Sequence, residues 1–179
     1  GALFAAMCGI LMLSKEEKDH TAEFLYTHPV SRIQVLNGKL AALLVQILIL
    51  NAAVLLVALV SIYGTGEDIP WKEILLLHLA YLLLQLELAF ICFGISAFLR
   101  KGGTGIGLGL AIVLYFFNII ANISDAAEFL KYISPYGYAE GTDIVVNTSL
   151  DGTLILLGML YAAIGIVAGY VKYNRKDLM

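Results

Sequence analysis

Apolar and polar positions along this chain alternate in blocks far longer than one helical turn. Four apolar runs, at 40–62, 74–99, 104–123 and 153–171, hold one charged residue, Glu87, and the stretches between and beside them hold the rest. Each run reaches about 19 residues or more, and a helix needs roughly 20 to cross a bilayer. The pattern therefore predicts four transmembrane helices. A fifth apolar run, 1–13, is too short to cross. It lacks a methionine start, a basic leader and a small-residue cleavage site, so it does not read as a signal peptide. It reads as the end of a span whose beginning is absent, which makes the chain a fragment.

Composition agrees. The 179 residues are 60% hydrophobic and 14% charged, against about 25% charged in an ordinary soluble domain. A core of this length cannot hide that much apolar surface from water. Cys8 and Cys92 lie inside apolar runs and form no disulfide framework or zinc spacing. A net charge of −3 gives no pull toward nucleic acid. The expected fold is an all-α integral membrane bundle of four full spans plus the end of a fifth.

Charge sets the orientation. Lys15, Lys18, Arg32, Lys39, Arg100, Lys101, Lys172, Arg175 and Lys176 fall in 14–39, 100–103 and the tail, nine of the eleven basic residues. Only Lys72 and Lys131 fall on the other side, among Glu67, Asp68, Glu73, Asp125, Glu128, Glu140, Asp143 and Asp151. The positive-inside rule places the first set, with the C-terminus, in the cytoplasm. The loops 63–73 and 124–152 then face outward. Merging the second and third runs into one re-entrant hairpin would bring Arg100 and Lys101 into lipid, which is costly.

The cytoplasmic stretch carries local signals. Ser14 with Glu17 fits a helix N-cap and its reciprocal glutamate, and Ser31 with Gln34 repeats the pattern. Pro29 disfavours helical geometry at His28, so a short helix should end near Thr27. Its cluster Phe24, Leu25 and Tyr26 is too small for a core and suits a partner's groove. Glu16, Glu17, Asp19 and Glu23 would be repelled by anionic headgroups, which disfavours a helix resting on lipid.

The run Thr21-Ala-Glu-Phe-Leu-Tyr-Thr-His-Pro-Val-Ser-Arg, followed by Gly38-Lys39, resembles the cytoplasmic loop of type-two ATP-binding-cassette (ABC) exporter permeases. Tyr132-Ile-Ser-Pro-Tyr-Gly-Tyr before the last span and Tyr173-Asn-Arg-Lys-Asp-Leu after it fit the same family. The resemblance implies a six-span permease, here missing its first span and most of its second. It implies pairing with a second permease subunit and with ATPase subunits that bind ATP and Mg, so that this chain holds no cofactor of its own. Segment 14–31 would contain the coupling helix, with Glu23, Phe24, Leu25, Tyr26, His28 and Arg32 contacting the ATPase. A bacterial or archaeal inner or plasma membrane is the implied setting.

Polar residues inside the runs are the remaining candidates. Gln46, Asn51, Asn118 and Asn122 should avoid lipid, either lining a pathway or tying helices together. Glu87 sits near the middle of its run, where a carboxylate is costly and often functional. His78 and Gln85 share one helix face, with Glu87 about 180° away. No catalytic dyad or metal set follows. The glycine run 102–109 lacks a preceding strand and a following Lys-Ser/Thr, so it is no phosphate loop. Gly105 with Gly109, and Gly165 with Gly169, instead fit close helix packing. In 124–152, Asp125 with Glu128 suggests a short helix over 126–133, and Tyr132, Tyr136 and Tyr138 suit the interface. Two short outer helices are expected there, lying on the membrane or dipping into it. The competing readings are a regulatory membrane subunit without a transport path, and an intramembrane enzyme using Glu87.

Overall fold

The computed structural model describes residues 1–18, 31–99 and 103–175. In chain order it contains α1 (Ala2–Lys18), α2 (Arg32–Thr65), α3 (Trp71–Ser96), α4 (Thr104–Ile123), a 3-10 helix (Asp125–Tyr132), α5 (Gly141–Asn147) and α6 (Gly152–Asn174). Helices α2, α3, α4 and α6 are each long and apolar enough to cross a membrane. The apolar part of α1, Ala2–Ser14, is shorter. With no water in the hydrocarbon region to satisfy peptide groups, a chain this apolar must close its hydrogen bonds within helices.

Local chemistry explains the helix ends. The Ser31 side chain accepts from the Gln34 amide while the Gln34 side chain accepts from the Ser31 amide, the reciprocal box expected there. From that cap α2 runs unbroken through Gly38 and Lys39 and stops at Gly66, whose φ of 75° suits glycine. Asp151 caps α6 by accepting from the amides of Thr153 and Leu154.

Ser14 is not a cap. It lies inside α1, fully buried, and its Oγ donates 2.6 Å back to the Ile10 carbonyl, so the helix passes through it to Lys18. The expected helix over 126–133 is a 3-10 helix beginning at Asp125, with Ser124 before it and no side-chain cap bond.

The bundle is organised around α3, which packs against α1 on one side and α6 on the other. These three helices run in the same direction, so each contact is between parallel neighbours. Glycines permit the approach. A Cβ on Gly94 would fall 2.3 Å from the Gly165 carbonyl oxygen, and one on Gly9 would fall 2.2 Å from that of Ala89. Gly169 lies against Phe93 in the same seam. In α4 the packing glycine is Gly107, against Ala6 and Ile10 of α1. Gly105 and Gly109 have nothing within 4 Å and form no helix contact among the described residues, contrary to the spacing argument. The small-residue pattern cannot say which face meets a neighbour.

Helix α2 packs most lightly, leaving Ile49, Val57 and Val60 exposed. Its basic end is nevertheless fastened. Arg32 Nη1 donates to the carbonyls of Tyr173 (3.5 Å) and Asn174 (3.3 Å), Tyr170 donates its hydroxyl to Asn37 Oδ1, and Lys39 Nζ donates 2.6 Å to the Met12 carbonyl. The first turns of α2 are thus tied to the ends of both α6 and α1.

Candidate functional site

Amides in apolar spans must find partners inside the bundle. Asn51 of α2 donates through Nδ2 to Gln85 Oε1 of α3 at 2.9 Å and to its own Ile47 carbonyl at 3.0 Å. Asn118 and Asn122, one turn apart on α4, both donate to Glu140 Oε2 at 3.0 Å. These residues border a cavity of about 410 Å³, where Asn51, His78, Gln85, Asn118 and Glu140 meet Tyr81, Tyr115 and Tyr136 beside the start of α1. The Tyr115 and Tyr136 rings meet edge to face with centroids 5.4 Å apart.

The cavity offers acceptors. His78 Nδ1 lies 2.9 Å from the Ile74 carbonyl, which can accept only from a protonated Nδ1, and in the neutral ring Nε2 is then an acceptor. That Nε2 is buried without a partner among the described residues, as is Asn118 Oδ1. With the Glu140 carboxylate beside them, the walls suit a group that donates hydrogen bonds. Among the described residues no three His, Cys, Asp or Glu side chains converge as a metal set.

Glu87 takes no part in this cavity. It lies on the opposite face of α3, only 3% exposed, in the seam with α6. Its Oε2 accepts from the Tyr138 hydroxyl at 3.0 Å, and Oε1 is buried without a partner among the described residues. Gly158 makes room for it, since a Cβ there would fall 2.2 Å from Oε2. Burial, and after it the Glu87 carboxylate, holds the Tyr138 phenol far above its ordinary range, so it keeps its proton and donates. Burial likewise pushes Tyr136 up to about 12, with Tyr115 and Cys92 adding to the effect.

The segment between α4 and α6 dips into the bundle. Ser134 Oγ donates 2.8 Å to the Leu114 carbonyl, and Leu114 lies nine residues, or about 14 Å, from the Ile123 end of α4. Tyr138 then reaches Glu87 from the same segment.

The sequence candidates therefore separate into three groups. Asn51, Gln85 and Asn118 come together at the cavity. Glu87 sits apart, and Gln46 lies on the exposed face of α2. Glu23, Phe24, Leu25, Tyr26 and His28 lie outside the described residues, while Arg32 is bound to the end of α6. Sequence reasoning missed Glu140 and Tyr138 as site residues. The four-residue spacing of Asn118 and Asn122 was a usable signal, because two amides on one face of a span call for a shared acceptor.

Four helices long and apolar enough to cross a membrane, with amides buried between them, describe a multi-pass membrane protein, and comparison with known families goes further. A family model described as ABC-2 family transporter protein matches residues 1–178. The chain belongs to that family. No curated protein and no solved structure matches it. As an ABC-2 family protein it is a membrane-embedded transport component, and its apolar spans and buried polar contacts are those of a multi-pass bundle.

Proposed function

We propose that this ABC-2 family chain is the permease subunit of an ATP-driven exporter, driven by a partner ATPase that docks on the segment between α1 and α2 and paired with a second permease subunit. The observation that carries this reading is the family match over residues 1–178. The bonds at the basic end of the bundle support it mechanically. The segment between α1 and α2 is flanked by helices bonded to each other through Lys39 and Met12, and α2 is bonded to α6 through Arg32. A partner pressing on that segment would displace α1, α2 and α6 together. Coupling follows when the ATPase's nucleotide states favour different arrangements of those helices.

The Asn51–Gln85 and Asn118–Glu140 cavity lies on the pathway in this reading, and the Glu87–Tyr138 bond holds the outer segment closed over it. The test is capture of the ATPase by the full-length protein in detergent, with Phe24→Ala combined with Arg32→Glu as the perturbation. Loss of a captured ATPase with the double change supports the coupling role. No ATPase with a folded, monodisperse wild type overturns it and favours an enzyme or regulator.

A further inference from the structure

Helix α6 packs on α3 and α4 packs on α1, and between α4 and α6 a trough runs over one face of α3. The floor is Ile91 and Ile95 of α3 with Phe98 just beyond its end, and the walls are Leu110 and Leu114 of α4 and Ile164 and Ala168 of α6. Its volume is about 460 Å³. Ile133 and Tyr161 close it near mid-membrane, where the Tyr161 hydroxyl is spent on the Tyr132 carbonyl at 3.1 Å. The interior therefore asks for nothing polar.

The other end opens toward the basic end of the bundle. Ala168, Lys172 and Arg175 are four and three residues apart, which puts both cations on the trough's own face of α6. Lys172 Nζ sits 5.6 Å from the centroid of Phe98, a floor residue, so the mouth of the trough carries positive charge. Arg175 is exposed just beyond it. From Tyr161 to Lys172 the helix rises about 16 Å. One leaflet of a bilayer whose hydrocarbon core is about 30 Å thick spans nearly the same depth.

We propose that this trough is a binding site for one anionic phospholipid of the leaflet at the basic end, an acyl chain lying between α4 and α6 and the phosphate held by Lys172 and Arg175. The depth matches a single acyl chain, and the two cations match the sign of the headgroup. Ala168 keeps the α6 wall low enough to admit the chain. Phosphatidylethanolamine offers the same phosphate, but its ammonium is repelled by the two cations, so the site favours a headgroup of net negative charge.

The test uses the full-length protein reconstituted in nanodiscs of equal phosphatidylglycerol and phosphatidylethanolamine. The protein is re-extracted, and native mass spectrometry counts the lipids retained. Phosphatidylglycerol should exceed phosphatidylethanolamine by about five-fold or more, the scale of one or two cations near an anionic surface. Lys172→Gln with Arg175→Gln should bring the ratio to parity. Ala168→Phe should lower retention of both lipids by filling the trough. Val167→Phe, on the exposed face of the same helix, should change neither and guards against a general loss of fold. Retention in the bulk ratio by the wild type overturns the site. So does a preference that survives both the double change and Ala168→Phe.

Discussion

Replacing Gly165 by alanine tests whether backbone contact between α3 and α6 holds the bundle together. In an isolated helix this change stabilises by about 1 kcal/mol, because glycine is a poor helix former. Here the new Cβ would fall 2.5 Å from the Phe90 carbonyl oxygen and 2.9 Å from Ile91 Cα. Both are backbone atoms that no rotamer change can move. Carbon contacts settle at about 3.5–4.0 Å, so α6 must back away by roughly 1 Å. Overpacking costs about 1–3 kcal/mol, and the upper part of that range, about 2–3 kcal/mol, applies where the obstructing atoms are backbone, so a net loss of about 1–2 kcal/mol is left after the helix preference is returned. For a chain of this size that is a fall in Tm of about 2–8 °C, measured by thermal unfolding in detergent. Gly109→Ala is the matched control: nothing lies within 4 Å of its Cβ, so its Tm should hold or rise. A Gly165→Ala protein as stable as wild type would refute the close approach and, with it, α3 and α6 as one rigid pair.

Tyr138→Phe should destabilise by about 1 kcal/mol, because Glu87 loses the one donor it has among the described residues. Adding Glu87→Met should recover most of that loss, since replacing both partners removes the unsatisfied group; additive losses in the same unfolding assay would show that the pair is not coupled. Glu140→Ala strips the shared acceptor from Asn118 and Asn122, and Asn118 is only 5% exposed. It should cost about 1–2 kcal/mol, while Glu140→Gln, which keeps an acceptor oxygen, should cost less; equal losses would assign the effect to charge instead.

The spans were legible in the sequence because crossing a bilayer imposes a length and an apolar content that no tertiary contact can override. Faces were legible in part. Periodicity placed His78 and Gln85 together and Glu87 opposite, and the structure has them that way. Partners were not. Tyr138 lies 51 residues from Glu87 and Glu140 lies 22 from Asn118, and the dip of the segment between α4 and α6 into the bundle joins them. The same limit explains Gly105 and Gly109, whose spacing resembles a packing motif on a face that meets no helix. Ser14 failed differently: its hydroxyl had a carbonyl four residues back to bond, and inside an apolar helix that bond competes well with capping.

The parallel packing of α1, α3 and α6 constrains how the protein can be made. Helix α3 leaves the ribosome well before α6, yet Gly94 and Glu87 complete their surroundings only against Gly165 and Gly158. Until α6 enters the bilayer, one flank of α3 presents a carboxyl group to lipid. A chain truncated before Gly152 would therefore lack the wall that Gly158 and Gly165 supply and would leave the Glu87 carboxyl uncovered on that flank.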